Sequence, residues 1–375
     1  MDRYAPAIVV VLLGTLLGVG AFLVHRPGRD DSPPVAAPTT TTTTSGRSST
    51  STPDGGSSTT TVPGPVTTTL PERPRDVVPS WTVGRPWGSV PGVTMFRGNP
   101  TRTFHGVGPV PTQAPAVAWT YPGSAVCGAS SVGGETTTWC GLGWTGQPVV
   151  YEREDGITEV IFGAYDKAVH FVDAATGTDL RPKFQTGDII KGSVTLDPDG
   201  YPLIYFGSRD NKLRIVALDR EVPTELWSLD ANEVNGVWNN DWDGNPVVVD
   251  DILYEGGENG WFFAYALNRS YGPDGKVTVE PERLVAMPGY DDTLLQRSGR
   301  NVSIESSVAV YEQRVYFANS GGRVVGLDVS DIRNGNAPIV FDFWAGGDID
   351  ATPVVDEDGF LYISVEYEPS LGRSR

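Results

Sequence analysis

The sequence predicts an all-β domain of repeated four-stranded units, and three observations carry that expectation. Five segments open alike: TGQPVV from Thr145, KGSVTL from Lys191, DGNPVV from Asp243, ESSVAV from Glu305 and DATPVV from Asp350. Their spacings of 46, 52, 62 and 45 residues suit a four-stranded unit with loops of variable length. A second shared pattern follows four of the openings, reading EVIFGAYDKAVHFVD, LIYFGSRDNKLRIVALD, ILYEGGENGWFFAYALN and RVYFANSGGRVVGLD. Composition agrees, since 45 Gly and 30 Pro stand beside 10 Trp, 14 Tyr and 13 Phe, a mixture of aromatic strands and tight turns. Units of this kind stack radially around an axis, which makes the expected architecture a β-propeller.

Each element of the unit has its own signal. The small or polar residue and the β-branched run of the opening suit an inner strand near a crowded axis. The pattern that follows is a hairpin, with Asp166, Asn211, Asn259-Gly260 and Gly321-Gly322 expected to supply the positive φ of a tight turn. A fourth strand is offered by KFQTG, ELWSLDA and IVFDFWAGG, while the third repeat carries the longer insertion SYGPDGKVTVEPERLVAMPG. No run of helical period longer than a turn lies between repeats, which excludes alternating βαβ units. About five repeats are visible, and the fifth stops at SVEYEPSLGRSR before its third and fourth strands. The last blade therefore reads as truncated, with an open strand edge.

Four segments precede the repeats. Residues 5–24 contain AIVVVLLGTLLGVGAFLV, an uncharged run long enough, at about 1.5 Å per residue, to cross a ~30 Å hydrocarbon core as a transmembrane helix. HRPGRDD follows in place of a small-residue cleavage site, which favours a signal anchor over a cleaved leader. Residues 25–92 are rich in Thr, Ser and Pro and read as a disordered stalk resembling extracytoplasmic O-glycosylated spacers. Residues 93–144 form a lead-in segment containing Cys127 and Cys140, the only two cysteines. The three histidines, His25, His105 and His170, are scattered, so zinc lacks ligands and a disulfide is the simpler reading. Such a bond persists in an oxidising compartment. Stalk and cysteine pair together put residues 1–4 in the cytoplasm and the propeller of residues 145–375 outside the cell membrane.

Charge narrows the partners. Beyond Gly92 there are 40 acids against 21 bases, and so acidic a body repels phosphate backbones, which argues against nucleic acid.

The segment VDAATGTDLRPKF, with its Asp, its Thr-Gly turn and a following aromatic, resembles the repeat signature of pyrroloquinoline quinone (PQQ)-type propellers. TMFRGNPTRTFHGVGPVP followed by AVAWTYP is similar to the beginning of non-catalytic envelope members of that family. The resemblance runs from Thr94 onward, and the second to fourth blades keep the terminal Asp or Asn without the Thr-Gly turn. It implies seven or eight blades in a complete chain, with AVAWTYP as the outermost strand of the last blade. It also implies two functions. One is a non-catalytic binding or scaffold module of the cell envelope, taking an envelope protein or cell-wall polymer as partner. The other is a membrane-bound quinoprotein dehydrogenase using PQQ and Ca²⁺ on alcohols or sugars. Enzymes of the family carry an adjacent cysteine pair against the cofactor, which this chain lacks.

The connections between blades are expected to gather at one mouth of the channel. TGDIIKG brings Asp188 and Lys191, and NEVNGVWNNDWDGN brings Trp238, Asn240, Asp241, Trp242 and Asp243. RSGRNVSIE brings Arg297 and Glu305, and GGDIDA brings Asp348 and Asp350. Converging carboxylates and amides suit Ca²⁺, which takes six to eight oxygens, and with the two Trp they suit a polar or flat ligand. Turn chemistry alone also enriches Asp, Asn and Gly where blades join, and both readings stay open. There is no G-x-S-x-G, H-E-x-x-H or phosphate loop, so no catalytic residue is assigned. His170 reads as a strand residue, and His105 lies with Arg97 and Arg102 where ion pairs to the acidic body are expected.

Overall fold

The computed structural model describes residues 78–366, apart from 107, 110, 133, 144 and 145, together with the backbone of Val9–Thr15 and Gly18–Ala21. Every repeat opening ends in the first strand of its blade. These strands are Val149–Glu152, Thr195–Leu196, Val247–Val249, Ala309–Tyr311 and Val354–Val355. In the first four repeats the hairpin pattern supplies the second and third strands: Thr158–Ala164 with Ala168–Asp173, Leu203–Ser208 with Lys212–Ala217, Ile252–Gly256 with Trp261–Ala266, and Arg314–Ala318 with Arg323–Asp328. Fourth strands follow as Phe184–Gln185, Thr224–Asp230, Glu282–Pro288 and Ile339–Trp344. All neighbours within these four blades are antiparallel.

The hairpin turns follow local chemistry. Asn211, Gly260 and Gly322 hold the positive φ values of 70°, 81° and 84°, conformations open to Asn and Gly. In the first blade that position falls to Lys167 (φ 65°) and not to Asp166. The Asp166 carboxylate instead lies 2.9 Å from His170 Nε2. The insertion of the third blade forms its own hairpin, Ser270–Tyr271 with Val277–Thr278. One seven-residue helix, Asp292–Ser298, also occurs, longer than the sequence pattern indicates. The Asp291 carboxylate caps it by accepting from Leu294 N at 2.8 Å.

Adjacent blades pack face to face, which is what makes the repeat a propeller-type stack. One apolar cluster joins Ile161 and Phe171 of the first blade to Ile204 and Phe206 of the second. Others join Tyr205 to Phe263, Phe262 to Phe317, and Tyr316 to Leu361. Phe262 and Phe317 stack nearly parallel with centroids 5.0 Å apart. Truncating either ring leaves a cavity costing about 3–5 kcal/mol.

The lead-in segment has a role the sequence does not show. Residues 91–103 run across the inner strands of all five blades. Gly92–Val93 pairs with Val149–Glu152, and Thr94 O accepts from Leu196 N at 2.8 Å. Phe96 N donates to Asn245 Oδ1 at 3.1 Å, while Pro100 O and Thr101 O accept from Val310 N and Val355 N at 2.8 and 3.1 Å. This thread satisfies inner-strand groups that would otherwise be open. Gly92 (φ 144°) must be glycine here, because a Cβ would sit 2.3 Å from Val150 O.

Three expectations change. Residues 78–92, read as stalk, include packed side chains: Val78 and Trp87 belong to the core around Phe317, and Val78 pairs with Glu312. AVAWTYP forms no strand against the last blade. Trp119 instead donates to Ala174 O at 3.0 Å and covers Gly177, and Tyr121 OH donates to Asp179 at 2.6 Å, all on the first blade. The apolar run read as a transmembrane helix is extended over Val9–Thr15 and Gly18–Ala21. Val9–Thr15 lies parallel to Leu361–Val365 of the fifth blade. A β-branched run interrupted by Gly14, Gly18 and Gly20 suits a strand, and an open sheet edge is a template for one. No helix among the described residues is long and apolar enough to cross a membrane. Residues 1–4 and most of the segment expected as stalk fall outside the described residues.

Candidate functional site

The pattern Asp241-Trp242-Asp243 builds the centre of the site. Trp242 is fully buried, packs on Phe263 with centroids 5.5 Å apart, and lies against Gly207, where a Cβ would meet Trp242 Cβ at 2.1 Å. It is therefore a core residue and not a ligand platform. The carboxylates on either side of it turn to Lys191, the first residue of the second repeat. Lys191 Nζ lies 2.5 Å from Asp243 Oδ2, 3.2 Å from Asp241 Oδ2 and 2.9 Å from Glu258 Oε1. Arg209 Nε approaches Asp241 at 3.6 Å. The three carboxylates facing Lys191, and the Arg209 guanidinium beside Asp241, come from the second and third repeats.

Electrostatics follow from burial. Burial works against the Lys191 ammonium, but Asp243, Asp241 and Glu258 outweigh it and hold it well above its ordinary value. Burial pushes Asp241 up to about 6 against the pull of Lys191. It pushes Asp243 well up, with Asp241 and Glu258 adding to the effect. A second acidic group continues the mouth. Ser303 Oγ donates to Glu305 at 2.8 Å, and Asn301 Nδ2 donates to Asp348 at 3.1 Å. Burial and the charges of Glu305, Asp348 and Glu366 push Asp350 up to about 8. Glu305 is raised by burial and by Glu258.

The structure thus brings Lys191, Asp241 and Asp243 together, with Glu305, Asp348 and Asp350 alongside. It sets the other candidates apart. Asp188 accepts from Ser130 Oγ at 3.1 Å and pairs with Lys167 at 3.3 Å, tying down the hairpin of Cys127–Val132 and Glu135–Cys140 that the Cys127–Cys140 disulfide closes. Trp238 is 48% exposed, and Asn240 donates to Asn232 at 2.6 Å. Arg297 lies over the Trp344 ring at 4.7 Å. Glu258 and Arg209 are members that the sequence reading missed. Both stand in turns between second and third strands, and the up-down order of a blade brings those turns out at the same end as the blade connections.

Asp241, Asp243 and Glu258 each offer an oxygen within 4.8 Å of the others, the spacing a cation needs. Lys191 Nζ stands among them at 2.5–3.2 Å. A Ca²⁺ ion and this ammonium cannot share the position, so the three carboxylates as arranged do not fit the calcium of a quinone site. The chemistry on offer is that of a neutralised cluster bordered by the carboxyl groups of Glu305, Asp348 and Asp350, which present acceptors.

No family model matches the chain, so the likeness of its repeats to PQQ-type propellers rests on the residues quoted above. No curated protein matches either. Among solved structures the chain is similar to the WD40 repeats of RRP9, with 13% identity, a TM-score of 0.40, and coverage of 61% of this chain and 62% of that one. A mitotic checkpoint complex chain gives 11%, 0.38, 60% and 65%. BamB from Moraxella catarrhalis gives 14%, 0.36, 62% and 65%. The matches thus cover less than two thirds of those chains, and identities this low transfer no chemistry.

Proposed function

We propose that the protein is a non-catalytic binding module acting outside the cytoplasm, in the cell envelope, with the acidic mouth as its ligand-facing surface. The observation that carries this reading is Lys191 at the centre of Asp241, Asp243 and Glu258. An internal ammonium makes the mouth a finished polar surface without a cofactor. Glu305, Asp348 and Asp350 then favour a partner with cationic or amine groups, whether a basic envelope protein or an amine-bearing cell-wall polymer. The disulfide supports the compartment, since it lasts where thiols are oxidised. Anchoring through residues 5–24 belongs to the same proposal, and it competes with the pairing of Val9–Thr15 to the fifth blade. Carbonate extraction separates the two: an anchored chain stays with the membrane pellet, and a strand-paired chain is released.

The dehydrogenase reading makes an opposite prediction. Addition of PQQ and Ca²⁺ to the full chain is expected to leave the cofactor absorbance unchanged and to give no dye-linked oxidation of alcohols or sugars. Quinone-dependent dye reduction would overturn the proposal. Conversely, Lys191→Ala removes the resident cation and is expected to create Ca²⁺ binding, measurable by calorimetry, that the unmodified protein lacks.

A further inference from the structure

Outer strands at a propeller rim are open edges, and the blades of this protein protect theirs unequally. In the first blade the outer strand is only Phe184–Gln185. In Thr224–Asp230 of the second blade the exposed residue is Glu225, and in Glu282–Pro288 of the third the exposed residues are Glu282 and Arg283. Short edges, charges and a terminal proline are the usual means of preventing strand addition. Ile339–Trp344 of the fourth blade is six residues long with no proline inside the strand and a single charge. Its exposed apolar residues are Ile339, Val340, Phe343 and Trp344, at 37–47%, and Asp342, also exposed, is its one charge. Arg323 forks onto Asp342 at 2.7 and 2.8 Å, as Arg214 engages Glu225 of the second blade at 2.9 Å, so the exposed apolar side chains are what set the fourth edge apart. Exposed apolar side chains therefore occur on both faces of one strand, since successive residues alternate.

The backbone is set for the same purpose. The strand is the last of its sheet. Ala345 N reaches inward to Gly322 O at 2.7 Å, and the antiparallel register pairs Trp344 with Arg323 and Asp342 with Val325. Alternation along such a ladder turns the N–H and C=O of Asp342 outward.

We propose that Ile339–Trp344 is a docking edge for an extended segment of a partner protein, in which apolar and basic residues alternate. Strand addition supplies the backbone bonds, and the partner's apolar residues cover the exposed apolar side chains on the face that carries Val340. Charge selects the occupant. The body beyond Gly92 carries 40 acids against 21 bases, which attracts a basic strand and opposes pairing with a second copy of the chain. The edge shares no residue with the acidic mouth, so its failure and that of the mouth proposal are distinguishable.

The test uses the full chain and two labelled decapeptides, one alternating Val and Lys, the other Val and Glu, followed by fluorescence anisotropy. The Val/Lys peptide is expected to bind at least tenfold more tightly, and Val340→Lys to weaken it at least tenfold while Glu305→Gln leaves it unchanged. Thermal melting of Val340→Lys establishes that the variant is folded. As a second readout, the Asp342 amide gains hydrogen-exchange protection on peptide binding. Equal binding of both peptides, binding insensitive to Val340→Lys, an unprotected Asp342 amide, or sedimentation as a dimer abolished by Val340→Lys would each overturn the proposal.

Discussion

Arg102 and Lys191 are both buried cations, and their surroundings are opposite. Arg102 spends its guanidinium on neutral oxygens: Val308 O at 2.8 Å, Phe96 O at 2.9 Å, Asn245 Oδ1 at 2.8 Å and Asn245 O at 2.9 Å. The sequence suggests ion pairs at this residue, yet no salt bridge to it occurs among the described residues. The acid nearby is Glu255, fully buried against Gly244 and pushed well up by burial although Arg102 opposes the shift. Burial pulls Arg102 down to about 9, which still leaves it charged at neutral pH. Lys191 stands instead among three carboxylates. A planar fork of five donors can fasten several chain segments at fixed angles, whereas a compact ammonium neutralises charge without fixing direction. The first is a clamp on the axial thread, and the second is a charge balance at the mouth.

Breaking the clamp is expected to have the largest effect. Arg102→Ala strands three backbone carbonyls and a side-chain amide oxygen, with a loss of about 3–5 kcal/mol in urea unfolding. Arg102→Lys recovers little, because one ammonium cannot replace the fork. Equal stability of Arg102→Lys and the parent would show that charge and not geometry holds the thread.

Lys191→Met comes next, at about 3 kcal/mol near pH 7.5, since it leaves three buried carboxyl groups without their cation. Unlike the first loss, this one shrinks in acid as the carboxyl groups take up protons. Unfolding at pH 5 and pH 7.5 distinguishes the two sites, because the hydrogen bonds lost in Arg102→Ala run to neutral oxygens that acid does not compensate.

A smaller effect belongs to the rim of the mouth. Asp350 is raised to about 8 in the folded protein against about 4 unfolded. A carboxyl raised by folding favours the native state below its unfolded value, and that contribution fades as pH rises from about 4 to about 8. Asp350→Asn should therefore stabilise the protein near pH 8 by about 1 kcal/mol, a figure reduced for its partial exposure. The slope of stability against pH should flatten over the same window. An unchanged slope would assign the proton uptake to other groups.

What the sequence determined by itself was local. Repeat openings became inner strands because their β-branched runs recur at blade spacing. Asn211, Gly260 and Gly322 took the turn positions because few other residues tolerate positive φ. The one slip, Asp166 for Lys167, is a single residue within a turn, where chemistry marks the turn better than the position. The two cysteines were legible as a bond because no other ligand lay near them. Most of the mouth could be read from Lys191, Asp241, Asp243, Glu305, Asp348 and Asp350, since polar residues cluster where blades join.

Tertiary structure decided which of those polar residues meet. Lys191 and Glu258 are 67 positions apart, and Arg102 and Val308 are 206 apart. No periodicity within a strand reports such pairs, because they depend on how blades stack. The same limit applies to Trp242, whose type suits a ligand platform or a core equally until the neighbouring blade is placed against it. Likewise the apolar residues of Ile339–Trp344 look like any fourth strand in sequence. Only the packing of blades shows that they remain at an edge, where backbone groups and apolar side chains still face outward.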